Sequence, residues 1–500
     1  MNLSKSLYTK GIQCPKALWL KKYNKEVLTR PDDSALARFE TGNEVGDLAY
    51  KHFLNGVEIA YTKNFDEMIA QTKKHIDDGI KYIYEATFSF NGILVLVDVL
   101  EIHEDNKVSI YEVKSSSSVK DIYVHDTSIQ YYVLKQLGIT IKTANVVHIN
   151  SSHVRGNTLE LDKLFTIADV TDEVVELQEN IPTILKEFEV VLEDKINEPN
   201  IDIGKHCHNP YVCDAKDYCW KTQRQIPEYS IFNIFNLGSK KQIELYTQGI
   251  KNIEDIPDDF DMTANQKNAV ENYKSKETFI NEEKIKEFVN TLTYPIYHLD
   301  FETFQQAIPE FKGISPYQQI PFQYSLHIEH LDGTLEQKEY LAQDSIDPRE
   351  EIAKRLYEDI PSNVTVLAYN MSFEKGVIKR LAESFPDLSS HLLSINENMN
   401  DLMVPFQKKY YVTPLMNGSY SIKYVLPALV PEFAKAYEEL DGVQNGSQAM
   451  NAFANMSKME EGEKQKMRTS LIEYCKLDTL AMVKILEKLK EDIGYYADNK

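Results

Sequence analysis

The apolar run YPIYHLDFETF, residues 294–304, holds two carboxylates, Asp300 and Glu302, in its interior. The run reads as a strand, and residues two apart on a strand point to one face. Asp300 and Glu302 can therefore reach the same pair of metal ions, while Phe301 points the other way, into a core. Their partners must come from far along the chain. YCKLD places Tyr474 and Asp478 one helical turn apart on a shared helix face. AYNMSFEKGVIKRLA supplies Asn370 and Glu374 at a strand-to-helix junction. A separate set lies upstream, where LVDVLEI and YEVKS carry Asp98, Glu112 and Lys114 on two strand-like runs.

The hydrophobic period divides the chain around these two sets. Residues 1 to 55 carry apolar residues at helical spacing. Residues 80–115 switch to β-rich runs separated by NG and EDNK turns. A helix over 120–138 ends at Gly138, and the strand TANVVHINS follows. Residues 165–197 read as acidic helix. Residues 226–290 are polar, without a strong strand, and read as a helical connector. A second α/β pattern then runs through the DG hairpin of IPFQYSLHIEHLDGTLEQKEYLA, a helix at 348–358, the strand VTVLAYN, the helix FEKGVIKRLAESF and a closing helix at 468–492. The expectation is α/β throughout, with domains at 1–225 and 291–500 joined by 226–290.

Composition bounds the function classes. The chain has 500 residues, 42% hydrophobic and 26% charged, which suits several globular domains. No stretch approaches the length of a membrane span, and the N-terminus has no continuous apolar core of a signal peptide, so a cytoplasmic location is expected. The net charge of −22 argues against a broad nucleic-acid coat, though a local basic groove can sit on an acidic protein. Three of the five cysteines, Cys207, Cys213 and Cys219, fall close together, which points to metal binding rather than disulfides.

Carboxylates gathered at strand ends from distant segments suit hard divalent cations such as Mg2+ or Mn2+, and such sites suit phosphodiester hydrolysis. The ordered set DxE (Asp300, Glu302), NxxFE (Asn370, Phe373, Glu374) and YxxxD (Tyr474, Asp478) resembles the DEDD exonuclease superfamily, the DnaQ-like nucleases, in its tyrosine subtype. The resemblance covers residues 291–500. It implies a ribonuclease-H-like sheet and 3′–5′ exonuclease activity, with metal held by Asp300, Glu302, Glu374 and Asp478 and water oriented by Tyr474. The chain departs from the family where Glu374 stands in place of Asp, and Asp401 is the alternative fourth ligand. Lys423 reads as a solvated surface lysine, with a basic contact to substrate as the alternative.

Asp98, followed after 13 residues by Glu112-Val-Lys114, resembles the PD-(D/E)XK nuclease core, with Gln130 matching the Gln of RecB-type members. The resemblance implies a restriction-endonuclease-like domain in which Asp98 and Glu112 bind a divalent metal and Lys114 acts near the scissile phosphate. Glu85 is a further candidate carboxylate. Cys14 before this core and Cys207, Cys213 and Cys219 after it resemble the cysteines of RecB-like nucleases that carry a 4Fe–4S cluster. The C-x5-C-x5-C spacing departs from those relatives and keeps Zn2+ open, with His206 and His208 as substitutes. Gly46 stands where several relatives place a His ligand, and His52 is the candidate replacement.

Together the motifs resemble a bacterial family that joins a RecB-like Fe–S domain to a DnaQ-like domain. The expected activity is a metal-dependent nuclease on DNA, single-stranded or with a free 3′ end, with RNA as a further substrate. The N-terminal domain is then a second nuclease or a nucleic-acid-gripping module. The rival reading is a non-catalytic nucleic-acid-binding scaffold with a structural Fe–S or Zn site.

Overall fold

The computed structural model describes residues 2–495. The chain is mixed α/β and divides into two compact units, residues 1–225 with 306–318, and residues 226–305 with 319–500.

The first unit is built on one mixed sheet. Its central strands, Tyr82–Phe90, Ile93–Ile102 and Val108–Lys114, form an antiparallel meander. Ile141–Ile149 joins Val108–Lys114 in parallel after the crossover helix Asp121–Gln136. The sheet carries apolar residues into two cores, Ile83, Val95, Val97 and Ile110 into one and Tyr84, Val99, Val147 and Ile149 into another with Val45 and Ala49 of the helix Asp33–His52. Ile83, Val95, Val97 and Ile110 pack against Ile129 and Val133 of the crossover helix and Phe188 of the helix Ile181–Glu193. Gly11 lets the helix Lys5–Gln13 approach this layer, because a Cβ there would sit 2.5 Å from the Phe188 ring. The segment read as continuous acidic helix contains a strand, Phe165–Asp169, antiparallel to Ile141–Ile149. It is too short to carry a visible period.

In the second unit the strand Ile296–Phe304 lies at the centre of a five-stranded sheet. On one side it pairs antiparallel with Ile320–Glu329, which pairs in turn with Leu335–Leu341. On the other it pairs in parallel with Thr365–Ala368, which is parallel to Met399–Asp401. Tyr297, Leu299 and Phe301 face a core shared with the helices Arg349–Asp359, Met371–Ser384 and Pro386–Glu397. Ile296 belongs to the opposite face, packed on the long helix Glu461–Asp492 through Ala481, Ile485 and Leu489. Asp300 and Glu302 follow Ile296 at even spacing, so they share its face and meet that helix. The stretch 226–290 forms short helices, including Ser239–Thr247 and Ala264–Ser275, around a small core of Ile231, Leu245, Ile253 and Val270. It belongs to the second unit rather than standing alone.

Candidate functional site

In the second unit, ligand oxygens of Asp300, Glu302 and Asp478 all lie within 4.8 Å of one another. Asp300 and Glu302 arrive from the central strand and Asp478 from the helix Glu461–Asp492. Burial pushes the Asp300 and Glu302 carboxyls well above their usual range, and repulsion from Asp478 adds to it. Asp478 is raised by burial to about 6. Glu302 and Asp478 are buried and Asp300 half-buried, so three carboxylates crowd a place shielded from water, where a cation would offset their repulsion. Hard oxygen donors at this spacing fit Mg2+ or Mn2+.

Tyr474 is buried one turn before Asp478, and its phenol steadies the Asp478 carboxylate. Burial, then the nearby acids, hold the Tyr474 hydroxyl in its protonated form. Glu374 sits in the first turn of the helix Met371–Ser384 and is 2% exposed. Among the described residues its Oε2 has no hydrogen-bond partner, and burial raises its carboxyl to about 8. Its charge reaches both Asp300 and Glu302. A longer side chain thus places a carboxyl near the trio without joining the 4.8 Å group. Asp401 is otherwise engaged. Its two oxygens accept the backbone N–H groups of Asn370 (2.9 Å), Met371 (3.2 Å) and Met403 (2.9 Å), so it caps the Met371–Ser384 helix and is not a free ligand.

Tyr437, which the sequence did not mark, and Lys423, for which it offered a substrate contact only as the alternative, both adjoin the trio. Tyr437 donates to Asp478 Oδ1 at 2.6 Å. Lys423 is not a solvated surface lysine. Its Nζ lies 5.1 and 5.4 Å from the ring centroids of Tyr437 and Tyr474, donates to the Gln444 carbonyl at 3.0 Å, and draws on the charges of Asp478 and Glu302. The helix that carries Lys423, Ile422–Leu429, borders a cavity of about 640 Å3 lined by Phe235, Tyr369, Asn370, Tyr420 and Tyr424. Phe235 and Tyr424 are 53% and 41% exposed, so aromatic faces are open there.

In the first unit, the structure brings Asp98, Glu112, Lys114 and Gln130 together. Lys114 Nζ donates to Glu112 Oε1 (2.5 Å) and to Asp126 Oδ2 (2.6 Å). Gln130 Nε2 donates to Glu112 Oε2 at 2.7 Å, and the Val113 N–H to Asp98 Oδ2 at 2.8 Å. Asp126 lies one helical turn before Gln130, a same-face spacing that could have marked it. Glu85, at a left-handed φ of 56°, accepts from the Tyr50 hydroxyl at 2.7 Å. Lys5, from the start of the chain, bonds both oxygens of Glu112. Burial raises Asp98 and Asp126 to about 6 each. Burial also works against the Glu112 charge, but Lys114 and Lys5 outweigh it and hold that carboxyl well below its usual range. His52 is not part of this group. It packs on the Phe53 and Phe165 rings, with Nδ1 3.1 Å from Asp162. A Cβ at Gly46 would meet nothing within 4 Å.

Cys14, Cys207, Cys213 and Cys219 line one small cavity together with His206. Cys14 sits between the helices Lys5–Gln13 and Pro15–Tyr23. Gln13 holds the cysteine loop in place, with Nε2 donating to the carbonyls of His206 (2.8 Å) and Tyr211 (2.7 Å). Contacts to Cys14 and Cys207 raise His206 to about 10, and burial raises Cys213 to about 11. His208 packs on Trp220 instead. Cys475 is apart from this set, with Sγ 3.8 Å from Asp300 Oδ2. Among the described residues, no three of these thiols or histidines fall within the 4.8 Å that unites the acidic trio. Also among the described residues, no helix is long and apolar enough to cross a membrane.

Residues 297–421 match a domain of unknown function, DUF2779. The match takes in Asp300, Glu302, Glu374 and Asp401 and ends before Tyr474 and Asp478. An uncharacterised protein of Ureaplasma parvum is 29% identical over 252 residues, covering 46% of this chain and 36% of its own length. An uncharacterised protein of Mycoplasma genitalium is 26% identical over 256 residues, covering 46% of this chain and 38% of its own. The chain thus spans little more than a third of the length of these curated relatives.

Proposed function

We propose that the second unit is a metal-dependent exonuclease that removes nucleotides from the 3′ end of single-stranded DNA or RNA. The observation that carries this reading is the meeting of Asp300, Glu302 and Asp478 within 4.8 Å, on a strand and a helix more than 170 positions apart. The strand pattern supports it: three antiparallel strands followed by two parallel ones, with the acidic strand central, is the ribonuclease-H-like order that the motifs imply. The acidic trio and Glu374 would hold Mg2+ or Mn2+, which would supply Lewis acidity toward a phosphodiester oxygen. Tyr437 orients Asp478. Tyr474, kept protonated, donates a hydrogen bond at the trio and can position an incoming water. Lys423 places a cation beside the same acids, where a phosphate would arrive. The open aromatic faces of Phe235 and Tyr424 suit unstacked bases, which single strands offer and duplexes do not.

For the first unit we propose the RecB-like reading, with Cys14, Cys207, Cys213 and Cys219 seating an iron–sulfur cluster or, less well given their spread, Zn2+.

The test uses the full chain and 5′-labelled oligonucleotides of DNA and RNA. Mn2+ should give a ladder shortened from the 3′ end. EDTA or Asp300→Asn should remove it, with a loss of at least about a thousandfold if the trio organises the reaction. The melting temperature of Asp300→Asn in EDTA should not fall, because the change relieves repulsion among buried acids. A wild-type chain that binds the oligonucleotides but leaves them intact with Mn2+ would favour the scaffold reading instead.

A further inference from the structure

The carboxylates of the first unit differ from those of the second in one respect. A lysine already sits among them. Lys5 Nζ lies 2.8 and 2.9 Å from Glu112 Oε1 and Oε2, and 3.5 Å from Asp98 Oδ1. These are the oxygens that a divalent ion bridging Asp98 and Glu112 would use. Their other positions are filled as well. Glu112 also receives Lys114 and Gln130, and Asp98 Oδ2 receives the Val113 N–H. An ionised carboxylate offers about four lone-pair sites, and Glu112 takes four contacts from three donors, two of them from Lys5.

The position of Lys5 is fixed by backbone, not by a loose tail. Leu3–Ser4 pairs in parallel with Ile93–Leu94, at the start of the strand that carries Asp98. The Leu3 N–H donates to the Gly92 carbonyl at 2.9 Å, and Leu3 is 1% exposed. Ser4 then caps the helix Lys5–Gln13, with its side chain accepting from the Leu7 N–H. Lys5 therefore leaves the first turn of a helix pinned to the sheet, and its side chain is only 20% exposed. Two ammonium groups, Lys5 and Lys114, face three carboxylates, Asp98, Glu112 and Asp126. Among the described residues no ammonium bonds the acidic trio of the second unit, and Lys423, whose charge acts on Glu302 and Asp478, donates to a carbonyl.

We propose that Lys5 is a resident counter-cation that takes the place of a divalent metal at the Asp98–Glu112 pair, so that this site is closed to metal until Lys5 leaves. The residues as they stand do not fit a metal there. The first unit would then hold nucleic acid rather than cut it, and a chain lacking the Lys5 charge would open the site. This inference does not depend on the exonuclease reading of the second unit.

The test measures Mn2+ binding by electron paramagnetic resonance on the full chain. Asp300→Asn and Asp478→Asn are present throughout, so that the second unit's acids do not take up the ion. In that background Lys5→Met should bind Mn2+ at least about tenfold more tightly than the chain with Lys5, the scale on which groups bonded to ligating carboxylates alter metal affinity. Adding Glu112→Gln should abolish the gain. Lys5→Gln, which keeps a donor without the charge, serves as the second variant. Should either Lys5 variant unfold in EDTA, recovery of its melting transition by Mn2+, absent when Glu112→Gln is added, would also support the proposal. Mn2+ binding no tighter in both variants than with Lys5 present would overturn it. So would a Lys5-containing chain that already binds one Mn2+ lost on Glu112→Gln.

Discussion

Tyr437 shows how one hydroxyl can set the working range of a buried acid. Burial lifts Asp478 to about 6, and the Tyr437 phenol is the largest influence holding it from rising further. Tyr437→Phe keeps the ring against Tyr474 but removes the donor, so the carboxyl of Asp478 should move up. A hydrogen bond to a charged group is worth about 1.5–3 kcal/mol. Mn2+ binding by Tyr437→Phe should therefore weaken by roughly 10-fold or more near pH 6, where protons compete with the ion for Asp478, and recover part of the loss by about pH 8. The check is the pH profile of Mn2+ affinity; a uniform loss at every pH would show that Tyr437 only fills space. Residues at this scale were unevenly legible. Asp300, Glu302, Tyr474 and Asp478 declared themselves because strand and helix periods fix which side chains share a face. Tyr437 lies in a segment without a period, and Lys5 lies near the chain start, so no spacing tied either to its acid.

The helix Met371–Ser384 joins two carboxylates with opposite tasks. Its entry residue, Asn370, has a left-handed φ of 74°, and Asp401 closes the exposed N–H groups beyond it. Glu374, one turn in, keeps an oxygen without a partner among the described residues. Asp401→Ala should lower unfolding free energy by about 1–3 kcal/mol, as loss of a charged cap does, and change Mn2+ affinity at the trio little. Glu374→Gln should do the reverse, weakening Mn2+ binding while leaving stability in EDTA unchanged or higher. Denaturant melts and Mn2+ titration of both variants would separate the two roles, and equal losses of metal affinity would restore Asp401 as a ligand. The sequence offered both acids for one position, because nothing in MNDLMVPF tells whether backbone N–H groups will reach Asp401. Longer elements were easier to read. The meander at 82–114 and the central strand at 296–304 were visible as β-rich, apolar runs, the former bounded by turn residues. The strand Phe165–Asp169 was not, and the closing helix begins at Glu461 in a polar stretch that carries no stripe. The grouping of residues 306–318 with the first unit rests on contacts made far along the chain, which local patterning does not encode.

Across the whole molecule, buried acids make stability depend on pH and on metal together. Burial raises Asp478 to about 6 and Glu374 to about 8, with Asp300 and Glu302 also well above their range. An acid whose pKa is higher in the folded chain than in the unfolded one binds its proton more tightly when folded. Its stabilising contribution is complete below the unfolded pKa, near 4, and is lost as pH rises through the folded value. In EDTA the second unit should therefore lose stability between about pH 6.5 and pH 8, above the range in which burial keeps His298 and His327 neutral and gives them the opposite sign. Glu329, buried but held down to about 2 by His298 and Lys490, has the opposite sign and acts only below this window. Asp98 and Asp126 share the sign of the trio, but Lys5 and Lys114 already face them. Saturating Mn2+ should thus remove most of the fall contributed by the second unit and little of that contributed by the first. Each ~1 kcal/mol so recovered would raise the melting temperature by roughly 2–4 °C in a unit of this size. Melting curves of the wild type and of Asp300→Asn with Asp478→Asn, in EDTA and in Mn2+ from pH 5 to about pH 8, provide the measurement. A wild-type melting temperature that rises with pH above about 6.5 in EDTA, or a Mn2+ effect that survives loss of both acids, would contradict the placement of the cation at this trio.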